Sequence, residues 1–192
     1  MAVADYFKRN VLAISQLISG LDETNLEQKL GQTSILITIG RDVDDQEGRS
    51  LLDLLVRLLA RLYPTISFRA DVKHELSKSA HNLASRINPC IGINGKPNVE
   101  IVIGRSKLDP CATTRIFAGS SGWEGVVSTK QPLSCGNSNN PFGPGAGACL
   151  VAATLFRKLF LGEDQLIHDL KISVLGNCST GGSQSELKGS IG

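Results

Sequence analysis

Aromatic residues make up only 5% of this 192-residue chain, and none is interleaved with a basic stripe. That excludes a base-stacking surface for single-stranded nucleic acid. An excess of either charge is also missing. Twenty basic against 18 acidic residues leave +2, no electrostatic footprint for nucleic acid or an anionic membrane. No apolar run approaches the length of a membrane span. The stretch from Lys8 to Ile18 is interrupted by Asn10, Ser15 and Gln16 and followed by Asp22 and Glu23, so it reads as an amphipathic helix and not as a signal peptide. Paired cysteines are lacking too. Cys90, Cys111, Cys135, Cys149 and Cys178 are odd in number, irregularly spaced and without a CxxC pair. This is the pattern of reduced thiols in a cytoplasmic protein, not of a disulfide framework or a zinc site.

What is there is enough for one α/β domain. A short helix capped at Asp22 or Thr24 ends near Gly31, and Ser34 to Ile39 reads as a buried strand bounded by Gly40. From Gln46 to Leu62, leucines at 51, 52, 54, 55, 58, 59 and 62 oppose Arg49, Asp53, Arg57 and Arg61, the signature of a strongly amphipathic helix. Pro64 ends it, and a second strand begins at Thr65. Strand, helix and strand at this spacing form a βαβ unit with parallel neighbours. The expectation is a Rossmann-like first half and a mixed sheet flanked by helices. Further strands follow at Val99 to Ile103, Thr114 to Ala118 and Gly125 to Ser128, the last two close enough for an antiparallel hairpin, with a final strand from Lys171 to Leu175. The domain spans residues 1–175, and the Gly/Ser-rich residues 176–192 read as a flexible tail or linker.

Three places could carry chemistry. The turn after the first strand holds Asp42, Asp44, Asp45 and Glu47 where a dinucleotide fingerprint would hold glycines. Those acids repel phosphate and suit a helix N-terminus, and a magnesium site from the three aspartates is the alternative. The segment from Asn140 to Cys149 carries Gly143, Gly145 and Gly147 as a loop opening a helix from Leu150. It serves either close backbone packing or an anion held on helix amides, the latter suiting a self-sufficient nucleotide or small-molecule transferase. Cys135 lies in the polar loop from Ser134 to Asn140 and is the candidate nucleophile of a cysteine hydrolase, with His74, His81 and His168 as the available imidazoles.

The order Tyr6 to Arg9, Gln28-Lys29-Leu30, strand, Gly40, helix and strand, followed later by Gly119-Ser120-Ser121-Gly122-Trp123 and Asn140-Pro141 before a small-residue helix ending in Arg157 and Lys158, resembles the ThiF-like adenylyltransferases. It is closest to the N-terminal half of bacterial proteins related to the activating enzymes of ubiquitin-like proteins. The resemblance implies a degenerate, non-catalytic half that scaffolds a catalytic ThiF domain in the same or a separate chain. On that reading the partner domain binds ATP and Mg, this half binds no cofactor itself, Arg9 reaches toward the partner's phosphates, and a ubiquitin-like protein is a further partner.

Overall fold

In a computed structural model, residues 23–72, 74–93, 95–160 and 169–176 are described. The expected helix near the N-terminus, Tyr6, Arg9, His168, Cys178 and the expected tail beyond Gly176 lie outside them.

Six strands form one mixed sheet: β1 (Ser34–Ile39), β2 (Thr65–Ala70), β3 (Val99–Ile103), β4 (Thr114–Ser121), β5 (Glu124–Ser128) and β6 (Asp169–Ser173). Their order is β2-β1-β3-β4-β5-β6. The first four run parallel, and β5 and β6 continue antiparallel. The α/β architecture with a mixed sheet is as expected from the sequence. β1 reads as a nearly continuous β-branched run because both its faces are covered.

Four helices complete the described chain: α1 (Glu23–Gly31), α2 (Gln46–Leu62), α3 (His74–Ile87) and α4 (Phe142–Phe160). α2 packs on both α3 and α4, while α4 also lies against β4 and β5. Leu51, Leu55, Val56 and Leu59 of α2 and Val151 and Leu155 of α4 join Ile35, Ile37, Ile101 and Ile103 in one core. The alternate residues of the sheet face the other way. There Glu100, with no exposed surface, accepts from Thr38 Oγ1 at 2.6 Å and from Arg69, and lies 3.3 Å from Arg115 Nε.

Two elements differ from the sequence reading. Helix α3 was not expected. Its apolar side is made of leucines, alanines and Ile87, with Ala80 and Ala84 buried, and polar residues outnumber these over the helix as a whole. The segment from Asn140 to Cys149 is not a loop: the helix begins at Phe142, and the small residues are its first two turns. They are small because backbone approaches. A Cβ on Gly143 would run into the carbonyl oxygen of Gly122, and one on Gly125 into the backbone of Gly147. Two chain segments touch there without side chains between them, which only glycine permits.

Candidate functional site

The carboxyl ends of parallel strands are where α/β sheets carry their sites, and here that end is closed by carboxylates. After β1 the chain passes Gly40 into a 3-10 turn, Arg41–Asp44, and then into α2. Gly40 lies so close to the Arg105 backbone that a Cβ would clash, and Gly104 adopts φ +69 beside Asp42. The turn is thereby pressed against the end of β3.

Asp42 uses both oxygens. Oδ1 accepts the Arg105 amide at 2.6 Å and Oδ2 accepts the Cys135 amide at 2.9 Å. Asp44 pairs with Arg49. Asp45 occupies the N-cap position of α2 but makes no side-chain cap bond. The acids of this turn therefore do not cap α2 as the sequence suggested; Asp42 and Glu47 reach across to other segments. Among the described residues no group of three or more His, Cys, Asp and Glu side chains is placed to hold a metal ion.

Glu47 is the centre of the arrangement. Only 1% of it is exposed, yet it carries a carboxylate in the first turn of α2, where the helix dipole favours negative charge. Oε1 accepts the Gly122 amide at 3.0 Å and the Ser138 amide at 3.0 Å, with the Ser138 hydroxyl as a third donor. Oε2 accepts Ser120 Oγ at 2.8 Å. Burial raises the carboxyl pKa, but the bonds from Ser138, Gly122 and Ser120 outweigh it and hold the group below its ordinary 4.5.

Cys135 hangs between these anchors. Its residue pairs with Ser120 in a short parallel bridge, and the next amide, of Gly136, donates to the Ser120 carbonyl at 2.8 Å. Burial pushes the thiol from 9.0 up to about 12, and the negative charges of Asp42, Glu47 and Asp45 push the same way. Among the described residues, the charged groups raising this thiol are carboxylates, with no histidine among them. His74 and His81 lie on α3, where His81 meets the Phe68 ring edge-on at 6.5 Å. Cys90, Cys111 and Cys149 are exposed.

The glycines named from the sequence border the same region. Asn140 Oδ1 accepts the Phe142 amide at 3.0 Å at the start of α4. Pro144 has no N–H to offer, and the Gly145 amide already donates to the Pro141 carbonyl at 2.9 Å. Phe142 stacks on Trp123 of the β4–β5 turn with ring centroids 5.2 Å apart. Sequence reasoning missed Ser120, Gly122 and Ser138 as partners of Glu47. The signal available was their small, polar character in two turns far apart in sequence, which names no partner.

The family model of prokaryotic E2 family C matches residues 41–161. The chain is also 33% identical, over 179 residues, to the uncharacterized protein y4jF of Sinorhizobium fredii, with 85% of this chain and 32% of that protein covered. It thus spans about a third of the length of the curated relative it matches. The match to prokaryotic E2 family C overturns the ThiF-like reading: neither an adenylyltransferase half nor a pseudo-enzyme scaffold for one is supported. That reading rested on the order of elements, on Gly119-Ser120-Ser121-Gly122-Trp123 and on Asn-Pro before a small-residue helix, short features that do not by themselves fix a function. With the family model covering well over half of it, this chain belongs to prokaryotic E2 family C.

Proposed function

We propose that the chain is an E2-like carrier in a bacterial conjugation reaction, with Cys135 holding the C-terminal acyl group of a ubiquitin-like modifier as a thioester. The observation that carries the reading is the family match over residues 41–161. That span contains the acidic turn, the Cys135 loop and α4.

The chemistry fits a carrier thiol. In the loading step the Cys135 sulfur bonds to the modifier's carbonyl carbon, the bond from that carbon to the donor thiol breaks, and the donor sulfur leaves with the proton Cys135 gives up. A low-pKa thiol leaves faster than a high-pKa one. A thiol raised to about 12 is therefore slow to give up the acyl group once loaded, and its loading requires that its proton pass to the departing donor sulfur. In the discharge step a lysine amine attacks the same carbon, a C–N bond replaces the C–S bond, and Cys135 regains a proton. Asp42, Asp45 and Glu47 around the sulfur attract the lysine ammonium as it approaches and favour amines over anionic nucleophiles.

The reading implies an activating enzyme, which uses ATP and Mg, and a ubiquitin-like modifier as partners; this chain itself needs no cofactor. It also implies a cytoplasmic site of action, where the thiol stays reduced. Among the described residues no helix is long and apolar enough to cross a membrane.

The test loads the chain with a synthetic peptide thioester ending in Gly-Gly and chases it with 1,4-diaminobutane or β-alanine. Discharge to the diamine is expected to be about tenfold faster, the scale of about one charge interaction of 1.4 kcal/mol. Release to water alone would make the chain a thiol hydrolase instead, and equal rates would overturn the role given to the carboxylates in choosing the nucleophile.

A further inference from the structure

A buried carboxylate is costly unless every lone pair is used, and Glu47 uses its lone pairs on three separate residues. Its Oε1 holds Gly122 in the turn between β4 and β5 and both donors of Ser138; its Oε2 holds Ser120 near the end of β4. Cys135 lies between these points. Its neighbour Gly136 bonds the Ser120 carbonyl, and a Cβ on Gly136 would fall 2.8 Å from Glu47 Oε1. Asp42 accepts the Cys135 amide, and the segment from Gly136 to Ser138 that follows is wrapped against the Glu47 carboxylate, where neutral side chains could have held the same turns without the cost of burying a charge.

We propose that Glu47 is the positioning residue of the Cys135 loop, its carboxylate fixing the loop against the β4–β5 hairpin and thereby setting how readily the thiol is acylated. The inference rests on Cys135 as carrier thiol, but its first readout does not involve the modifier. Three carboxylates face the sulfur: Asp42 and Asp45 from the turn before α2, and Glu47 from α2 itself. Of these, Asp42 bonds the Cys135 amide itself, while Glu47 alone bonds both Ser138, after Cys135 in the loop, and Ser120, the β4 residue that Cys135 pairs with.

The experiment is iodoacetamide alkylation of the whole chain across pH, followed by peptide mapping, for the wild type and Glu47→Gln. The amide keeps the shape but removes the charge and two acceptor sites. The expected result is a fall of at least about one pH unit in the Cys135 midpoint, equivalent to about tenfold faster reaction near pH 8. Cys90, Cys111 and Cys149 serve as internal references and stay unchanged. A folded Glu47→Gln protein with an unmoved Cys135 midpoint overturns the proposal, as does an equal change at Cys135 and the three reference thiols. If Glu47→Gln does not fold, Ser138→Ala replaces it, removing one donor and leaving the charge. Faster alkylation confined to Cys135 supports the proposal and an unchanged rate overturns it. Loading from the Gly-Gly thioester is then measured on the same variants. Altered alkylation without any acyl adduct in the wild type would retain Glu47 as positioning residue and sink the carrier reading.

Discussion

The amide of Cys135 donates to the Asp42 carboxylate at 2.9 Å across 93 positions of sequence. That bond ties the thiol loop to the turn after β1, and it also brings a negative charge to a sulfur already short of water. The first expectation follows from it. With the thiol at about 12, three units above 9.0, Cys135 carries about a thousandfold less thiolate at neutral pH than an ordinary cysteine. Mapped alkylation at pH 7.5 is expected to label Cys90, Cys111 and Cys149 and leave Cys135 almost untouched. Labelling of Cys135 at a comparable rate would show that the loop is open in solution.

Glu100 gives a second expectation. It has no exposed surface and faces two arginines that are each about a quarter exposed. Replacing it with alanine leaves Arg69 and Arg115 without their shared carboxylate, at a cost of about 3 kcal/mol. Arg57→Ala, by contrast, breaks an exposed pair with Asp53 on α2 and is expected to leave the denaturation midpoint unmoved. Urea melts of both variants check the contrast.

The acid limb of stability is the third. Glu47 and Glu100 are both held below the ordinary 4.5: burial raises each pKa, and hydrogen bonds, from Ser138 at Glu47 and from Thr38 at Glu100, outweigh it. A depressed carboxylate contributes stability that is present above its unfolded value and lost as pH falls through the folded one. Stability is therefore expected to hold from neutrality down to about pH 5 and to fall below 4.5. In Glu47→Gln that decline should be shallower. Melting temperatures at pH 3 to 7 decide it, and equal slopes for the two proteins would contradict the shifts.

The glycines of α4 differ from one another. A Cβ on Gly147 would come within 3.0 Å of the Gly119 carbonyl and 3.2 Å of Leu51, whereas one on Gly145 meets only Leu54 at 3.7 Å. Gly147→Leu is expected to destabilise by about 1–3 kcal/mol through overpacking. Gly145→Ala should be neutral or gain up to about 1 kcal/mol from helix propensity. Thermal melts that ranked them the other way would place the close contact elsewhere.

The sheet was legible because β1 and α2 announce themselves: Ile35, Ile37, Thr38 and Ile39 are β-favouring in a six-residue run, and leucines then line one side of a helix. The antiparallel β4–β5 pair was legible from the closeness of its two strand-like runs. Helix α3 was hidden by its polar composition, and the start of α4 by glycines and a proline, residues whose local preference the packing against β5 overrides. The site was half legible. The acids of the turn and Cys135 stood out separately, but that Asp42 bonds Cys135, and that Glu47 turns inward to Ser138, depends on distances across the sheet end that no spacing in the sequence encodes. The likeness to ThiF-like proteins failed for a related reason: it was carried by the order of elements and by short motifs, and not by residues that perform a reaction.

The most direct measurement of the central claim is the position of the acyl group after the wild-type chain is loaded with the Gly-Gly peptide thioester and digested under mild acid. After a chase that strips acyl groups from the exposed Cys90, Cys111 and Cys149, the account predicts one persisting adduct, on Cys135, released by dithiothreitol and absent from Cys135→Ala. An adduct on Cys90, Cys111 or Cys149 with Cys135 free, or loading that survives Cys135→Ala unchanged, would contradict it.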